Sequence, residues 1–190
     1  MMRWIIIPIM MAMSGCISSM KVPKNPCLAD EFLEDIDRYS RGELTKLVNI
    51  LESSSTGTSN ACKTALLAKI YFSLSRMSLA SDYFSKAALQ LPELSHYFLL
   101  AKAQAELKQH NFNQAFSIAN TLLESSPAPT PQFALRIKKV LADIAVAEKD
   151  NQRIIKTHQA LLGNGLSEHE ALLFNLATAL SNAGEHEKAN

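Results

Sequence analysis

In the stretch ACKTALLAKIYFSLSRMSLASDYFSKAALQLPE, which begins at Ala61, Leu67, Ala68 and Tyr71 are followed by Ala80, Phe84, Ala87 and Pro92. From His96 the same intervals return as Ala103, Phe112, Ala115, Ala119, Leu122 and Pro127. They thin to Ala142, Ile155 and Leu162 after Arg136, then recover from Glu170 as Leu173, Leu176, Ala177, Leu180, Gly184 and Ala189. Helix hairpins that stack on one another need matched packing positions, whereas a closed bundle does not. The periodic return therefore points to a superhelical array rather than the alternative, an ordinary helical bundle.

These offsets resemble the tetratricopeptide repeat, a unit of about 34 residues in which small side chains let two helices approach and large ones fill the groove to the next pair. The resemblance covers roughly residues 61–190. Lys102 stands where the pattern has an apolar residue and Glu106 where it has Tyr, and the helix pair expected at 26–53 carries scarcely any motif. The fold this implies is all-α: an antiparallel helix-hairpin, tetratricopeptide-like superhelical solenoid over residues 26–190.

Local chemistry agrees with an all-helical chain. Glycine is scarce, at 6 of 190 residues, and only 7% of residues are aromatic, which favours helices packed through small side chains. Helix-start chemistry recurs at Asn25-Pro26, Asn60, Ser78, Asn111, Thr130-Pro131 and Asp150, with capping-box spacing at Ser40/Glu43 and Ser167/Glu170. The expected helices are 26–38, 41–53, 61–75, 79–91, 96–109, 112–124, 131–148, 151–162 and 168–183, with a further start at 185.

The first residues carry an address rather than a fold. Arg3 precedes an apolar run from Trp4 to Met13, and the small pair Ser14-Gly15 precedes Cys16. This is the layout of a secretory signal, and the run is too short for a span, which needs roughly 20 apolar residues. Met13-Ser14-Gly15-Cys16 resembles the lipobox of bacterial lipoproteins. That resemblance implies removal of residues 1–15, lipid attachment at Cys16 and a tether over 16–25. Multiple acyl chains make such anchoring permanent. With Ile17 rather than Asp after the cysteine, it implies the periplasmic face of the outer membrane.

Without residues 1–15 the chain has 18 basic and 18 acidic side chains, so nucleic-acid binding lacks an electrostatic footprint. Cys27 and Cys62 fall near equivalent positions at the starts of adjacent first helices, and an oxidising compartment would let them pair. Equivalent helices stack about 8–10 Å apart while a bridge needs Cα atoms within about 7 Å, so the spacing leaves the disulfide open.

No catalytic constellation is legible. His169-Glu170 starts an H-E-x-x-H pattern that Leu173 breaks, and His186 stands at a repeat position that usually holds an aromatic. No G-x-S-x-G elbow or glycine-rich phosphate loop occurs. The expectation is no metal, no cofactor and no enzymatic activity.

The tetratricopeptide resemblance implies binding of a periplasmic protein or peptide, with peptidoglycan as a further candidate, along a groove carrying Lys69, Phe72, Tyr97, Gln104 and Lys108. Arg136, Lys138 and Lys139 form a small basic face that would suit an acidic partner. The expected function is a lipid-anchored binding or assembly module. An alternative comes from the stretch from Leu91 to Asp150, which is similar to the helical domain of soluble lytic murein transglycosylases, enzymes of peptidoglycan turnover. The Glu-Ser pairs present, Glu52-Ser53 and Glu124-Ser125, lack that family's continuation, so its catalytic part would be missing. The closing GEHEKAN enters a second helix and stops with a face uncovered, so the expectation is either a truncated array or a partner that covers this end.

Overall fold

The computed structural model describes residues 30–53, 60–163 and 170–184. These residues form nine α-helices and no strand: α1 (Asp30–Ser40), α2 (Leu44–Ser53), α3 (Asn60–Ser73), α4 (Met77–Gln90), α5 (Ser95–Lys108), α6 (Phe112–Leu123), α7 (Pro131–Glu148), α8 (Asn151–Leu162) and α9 (Glu170–Asn182). A 3-10 turn, Pro92–Leu94, leads into α5. Each helix packs on the next along the chain, and α5 also reaches α7. The expected Cys16 lipid site, residues 26–29, Cys27, Ser167, His169, His186 and the helix start at 185 lie outside the described residues.

Four hairpin turns are closed by one device. The backbone N–H groups of Glu43, Arg76, Asn111 and Asp150 donate to the carbonyls of Arg38, Tyr71, Glu106 and Ala145 at 3.1, 2.8, 3.0 and 3.1 Å. The residue before each donor has positive φ: Gly42 (76°), Ser75 (57°), His110 (62°) and Lys149 (58°). This pairing of a long backbone bond with a left-handed residue is the Schellman closure, which satisfies carbonyls that the helix end leaves unpaired. Gly184, with φ 81°, follows α9 in the same conformation. The left-handed residues at 42, 75, 110, 149 and 184 are thus 33, 35, 39 and 35 residues apart.

The core is segmental and follows chain order. Leu47, Val48 and Leu51 of α2 pack with Cys62, Leu66, Leu67, Ala68, Ile70 and Tyr71 of α3 and with Ala80 and Phe84 of α4. Leu100 and Ala103 then join Ala115, Ala119 and Leu122 to Phe133, Ile137 and Val140 of α7. Beyond them Ala145, Ile154, Ile155, Ala179 and Leu180 form the third cluster. Ala68, Ala80, Ala87, Ala103, Ala115 and Ala119 are each 0% exposed, so any larger side chain there would push two helices apart. Overpacking of this kind costs about 1–3 kcal/mol.

Several expected caps take other roles. Ser40 closes α1 by donating its hydroxyl to the Asp37 carbonyl at 2.7 Å, and forms no capping box with Glu43. Ser78 lies inside α4, whose first turn has no side-chain cap. Asn111 precedes α6 but turns its amide to Glu106. Thr130 and Asp150 do cap, accepting from the backbone N–H groups of Phe133 (3.3 Å) and Arg153 (3.0 Å).

Candidate functional site

Helices α1, α3, α5 and α7 are the first members of successive hairpins, and a ladder of cations on rings runs across them. Lys69 Nζ of α3 lies 5.8 Å from the Tyr39 ring centre of α1, and Lys108 Nζ of α5 lies 5.8 Å from the Phe72 ring of α3. The Arg136 guanidinium of α7 lies 6.0 Å from the Tyr97 ring of α5 and 5.9 Å from Phe133. At each step a cation reaches back to an aromatic on the preceding first helix. Each contact is worth about 0.5–1 kcal/mol at an exposed site.

The face remains accessible. Lys69, Gln104, Lys108 and Arg136 are exposed, and Tyr97 is 52% exposed although its ring packs against Phe133 at 4.9 Å. Phe72 is half-buried, edge-on to Phe84 at 6.2 Å. Tyr97, Gln104 and Lys108 are spaced to share one side of α5. The structure thus brings Phe72 and Lys108 together, sets Tyr97 and Gln104 along the same helix, and couples Lys69 to Tyr39 instead.

The charged members of the ladder are all positive. Lys69, Lys108 and Arg136 form no ion pair with a described carboxylate. Helix α3 has no acidic residue, and the single carboxylate of α5, Glu106, is 4% exposed and turned away. Ser81 donates its hydroxyl to Glu106 Oε1, and Asn111 Nδ2 donates to Oε2 at 2.8 Å. Of the five acidic side chains of α1, Glu34 pairs with Arg38 at 2.5 Å, Asp35 with Arg38 at 3.9 Å and Asp37 with Arg41 at 2.9 Å. A row of cations over aromatic rings suits an extended anionic chain that also offers apolar side chains.

Tyr39, Phe133 and Arg136 complete the ladder, and the expected groove lacked them. Arg136 opens the stretch that matches the expected repeat least, Phe133 lies just before it, and Tyr39 belongs to a helix pair with almost no match. Their signal was a cation 30, 36 or 39 residues after an aromatic, as for Tyr39/Lys69, Phe72/Lys108 and Tyr97/Arg136.

Among the described residues no group of three or more His, Cys, Asp or Glu side chains is placed to hold a metal. No helix among them is long and apolar enough to cross a membrane. Cys62 is fully buried and disulfide-bonded. His158, 3% exposed, contacts the Thr157 hydroxyl at 3.3 Å, and burial holds its imidazole below the ordinary range. The neighbouring Asp143 carboxyl, exposed at its outer side, is held above its usual value by partial desolvation.

No family model matches the chain, and no curated protein matches it. Among solved structures it is similar to the crystal structure of BtubC (BKLC) from P. vanneervenii, at 16% identity and a TM-score of 0.62. The alignment covers 84% of this chain and 76% of that one, and at this identity the likeness concerns the fold alone.

Proposed function

We propose that the chain is a helical-repeat binding module that receives an extended acidic segment of a periplasmic protein along α1, α3, α5 and α7, without catalysis of its own. The ladder of Lys69, Lys108 and Arg136 on successive rings carries this reading. Recurrence of one turn closure every 33–39 residues supports the repeat architecture. Three steps of about 9 Å between first helices correspond to about eight residues of extended peptide at about 3.4 Å each. In the same reading Cys16 carries the lipid, and the disulfide at Cys62, with Cys27 as its partner, suits an exported protein.

The test is fluorescence anisotropy with proline-containing peptides of about eight residues, which cannot form a helix. Peptides alternating Glu with Phe or Leu are expected to bind, and their Lys counterparts are not. Reversal of Lys69, Lys108 and Arg136 to Glu is expected to abolish binding while leaving the circular dichroism spectrum unchanged. Equal binding of acidic and basic peptides would refute the groove assignment. Separately, a Cys16→Ala variant that still incorporates labelled fatty acid would refute the anchor.

A further inference from the structure

A second groove opens on the other side of α7. It has a volume of about 770 Å³, with walls from α6 and α8 and a floor that includes Leu141 of α7. Lys138 also lines it, and lies two residues from Arg136, about 200° around the helix. The two surfaces are therefore served by opposite sides of one helix.

The groove is apolar below and positive at its rim. Phe116, Leu123, Leu141 and Ile155 supply the apolar lining. Phe116 stays 36% exposed, although the Arg153 guanidinium lies 4.9 Å from its ring centre. Arg153 is itself neutralised, by Glu148 and by Asp150 at 3.5 Å. Asp150, the one acidic residue in the lining, is thereby used: it also caps α8. Lys138 and Lys156 are left without an ion pair among the described residues. Two uncompensated ammonium groups beside an open apolar trough define the missing partner's chemistry by charge complementarity. The volume is within the range of built ligand sites, and two helical walls over an apolar floor form the kind of groove that accepts an amphipathic helix.

We infer that this groove docks an amphipathic helix of a partner protein, its apolar stripe on Phe116, Leu141 and Ile155 and its flanking carboxylates against Lys138 and Lys156. This site does not rest on the extended-peptide reading above, and each can fail alone.

The test titrates the full chain into a fluorescein-labelled helical probe of about 14 residues, with Leu at helical spacing and Glu elsewhere. Saturable binding is expected, about tenfold weaker after Lys138→Glu with Lys156→Glu. It should weaken after Phe116→Ser and stay unchanged after Lys69→Glu with Lys108→Glu. Thermal unfolding by circular dichroism checks that each variant retains its fold. Absence of saturable binding by the folded chain, equal affinity for a Leu/Lys probe, or indifference to reversal at Lys138 and Lys156 would overturn the inference. So would sedimentation velocity showing that a second copy of the chain fills the groove.

Discussion

The buried carboxyl of Glu106 offers a quantitative test of how α4, α5 and α6 are held together. Ser81 and Glu106 are 5% and 4% exposed, so neither finds water if its partner is removed. Replacing Ser81 by Ala strips Oε1 of its donor, and an unsatisfied buried polar group costs about 1–3 kcal/mol. Replacing Glu106 by Leu leaves the Ser81 hydroxyl unpaired at a similar cost; the exposed Asn111 amide turns to solvent. Each single variant should therefore lose about 2 kcal/mol, near the centre of that range. Independent effects would give about 4 kcal/mol for both changes together. Removal of both partners leaves no orphan, and exchange of a buried polar pair for apolar groups is often close to neutral. The double variant should thus lose about 1 kcal/mol or less, a coupling of about 3 kcal/mol or more. Urea unfolding followed by far-UV circular dichroism, with unchanged slopes, measures all four corners of the cycle. In melting temperature each single change is worth about 4–8 °C for a chain of 190 residues. Single variants that lose under about 0.5 kcal/mol, or a double variant at the additive value, would show that the network does not bind the three helices.

Two further outcomes follow from the described contacts. Burial depresses His158 below its ordinary value of 6.5, so as pH falls the unfolded chain takes this proton first. Stability should be lost from about pH 6.5 downward. The loss should be smaller in His158→Gln, measured by urea unfolding at about pH 7 and about pH 5. Lys149 is exposed with φ 58°, where a side chain costs about 1 kcal/mol; Lys149→Gly should raise stability by about that amount, and a drop in melting temperature would contradict the left-handed turn.

The parts of the fold legible in the sequence are those where size alone decides. Ala68, Ala80, Ala87, Ala103, Ala115 and Ala119 are small because two helix backbones meet there, and all are fully buried. The α7 unit gave little signal because Phe133, Ile137, Val140, Leu141 and Ile144 fill its interior at positions the motif does not specify. Turn chemistry was legible only in part. Glycine at 42 and 184 is the usual choice for a left-handed residue, whereas Ser75, His110 and Lys149 take that conformation against their own preference. At the candidate site, positions on one helix could be read from spacing. Phe72 and Tyr97 were legible in this way, whereas the Tyr39 ring was not, because its couple with Lys69 joins two hairpins and α1 carries scarcely any motif.

The backbone bonds that close the turns identify Arg38, Tyr71, Glu106 and Ala145 as structurally equivalent. No substitution table groups these four residues, yet their surroundings account for each. Tyr71 donates its hydroxyl back to Glu52 of α2, and burial together with that carboxylate pushes its phenol up to about 12. Glu106 performs the same backward reach to Ser81 of α4 with the polarity reversed: here the first helix supplies the acceptor and the preceding second helix the donor. Arg38 stays within its own helix, paired with Glu34 and Asp35, and Ala145 simply closes the gap against its neighbours in the third cluster. Glu106 thus makes the same cross-helix bond as Tyr71 with donor and acceptor exchanged. Successive helix pairs can therefore differ in sequence while each joint keeps a local solution, because compensating changes between packed neighbours stay within one joint.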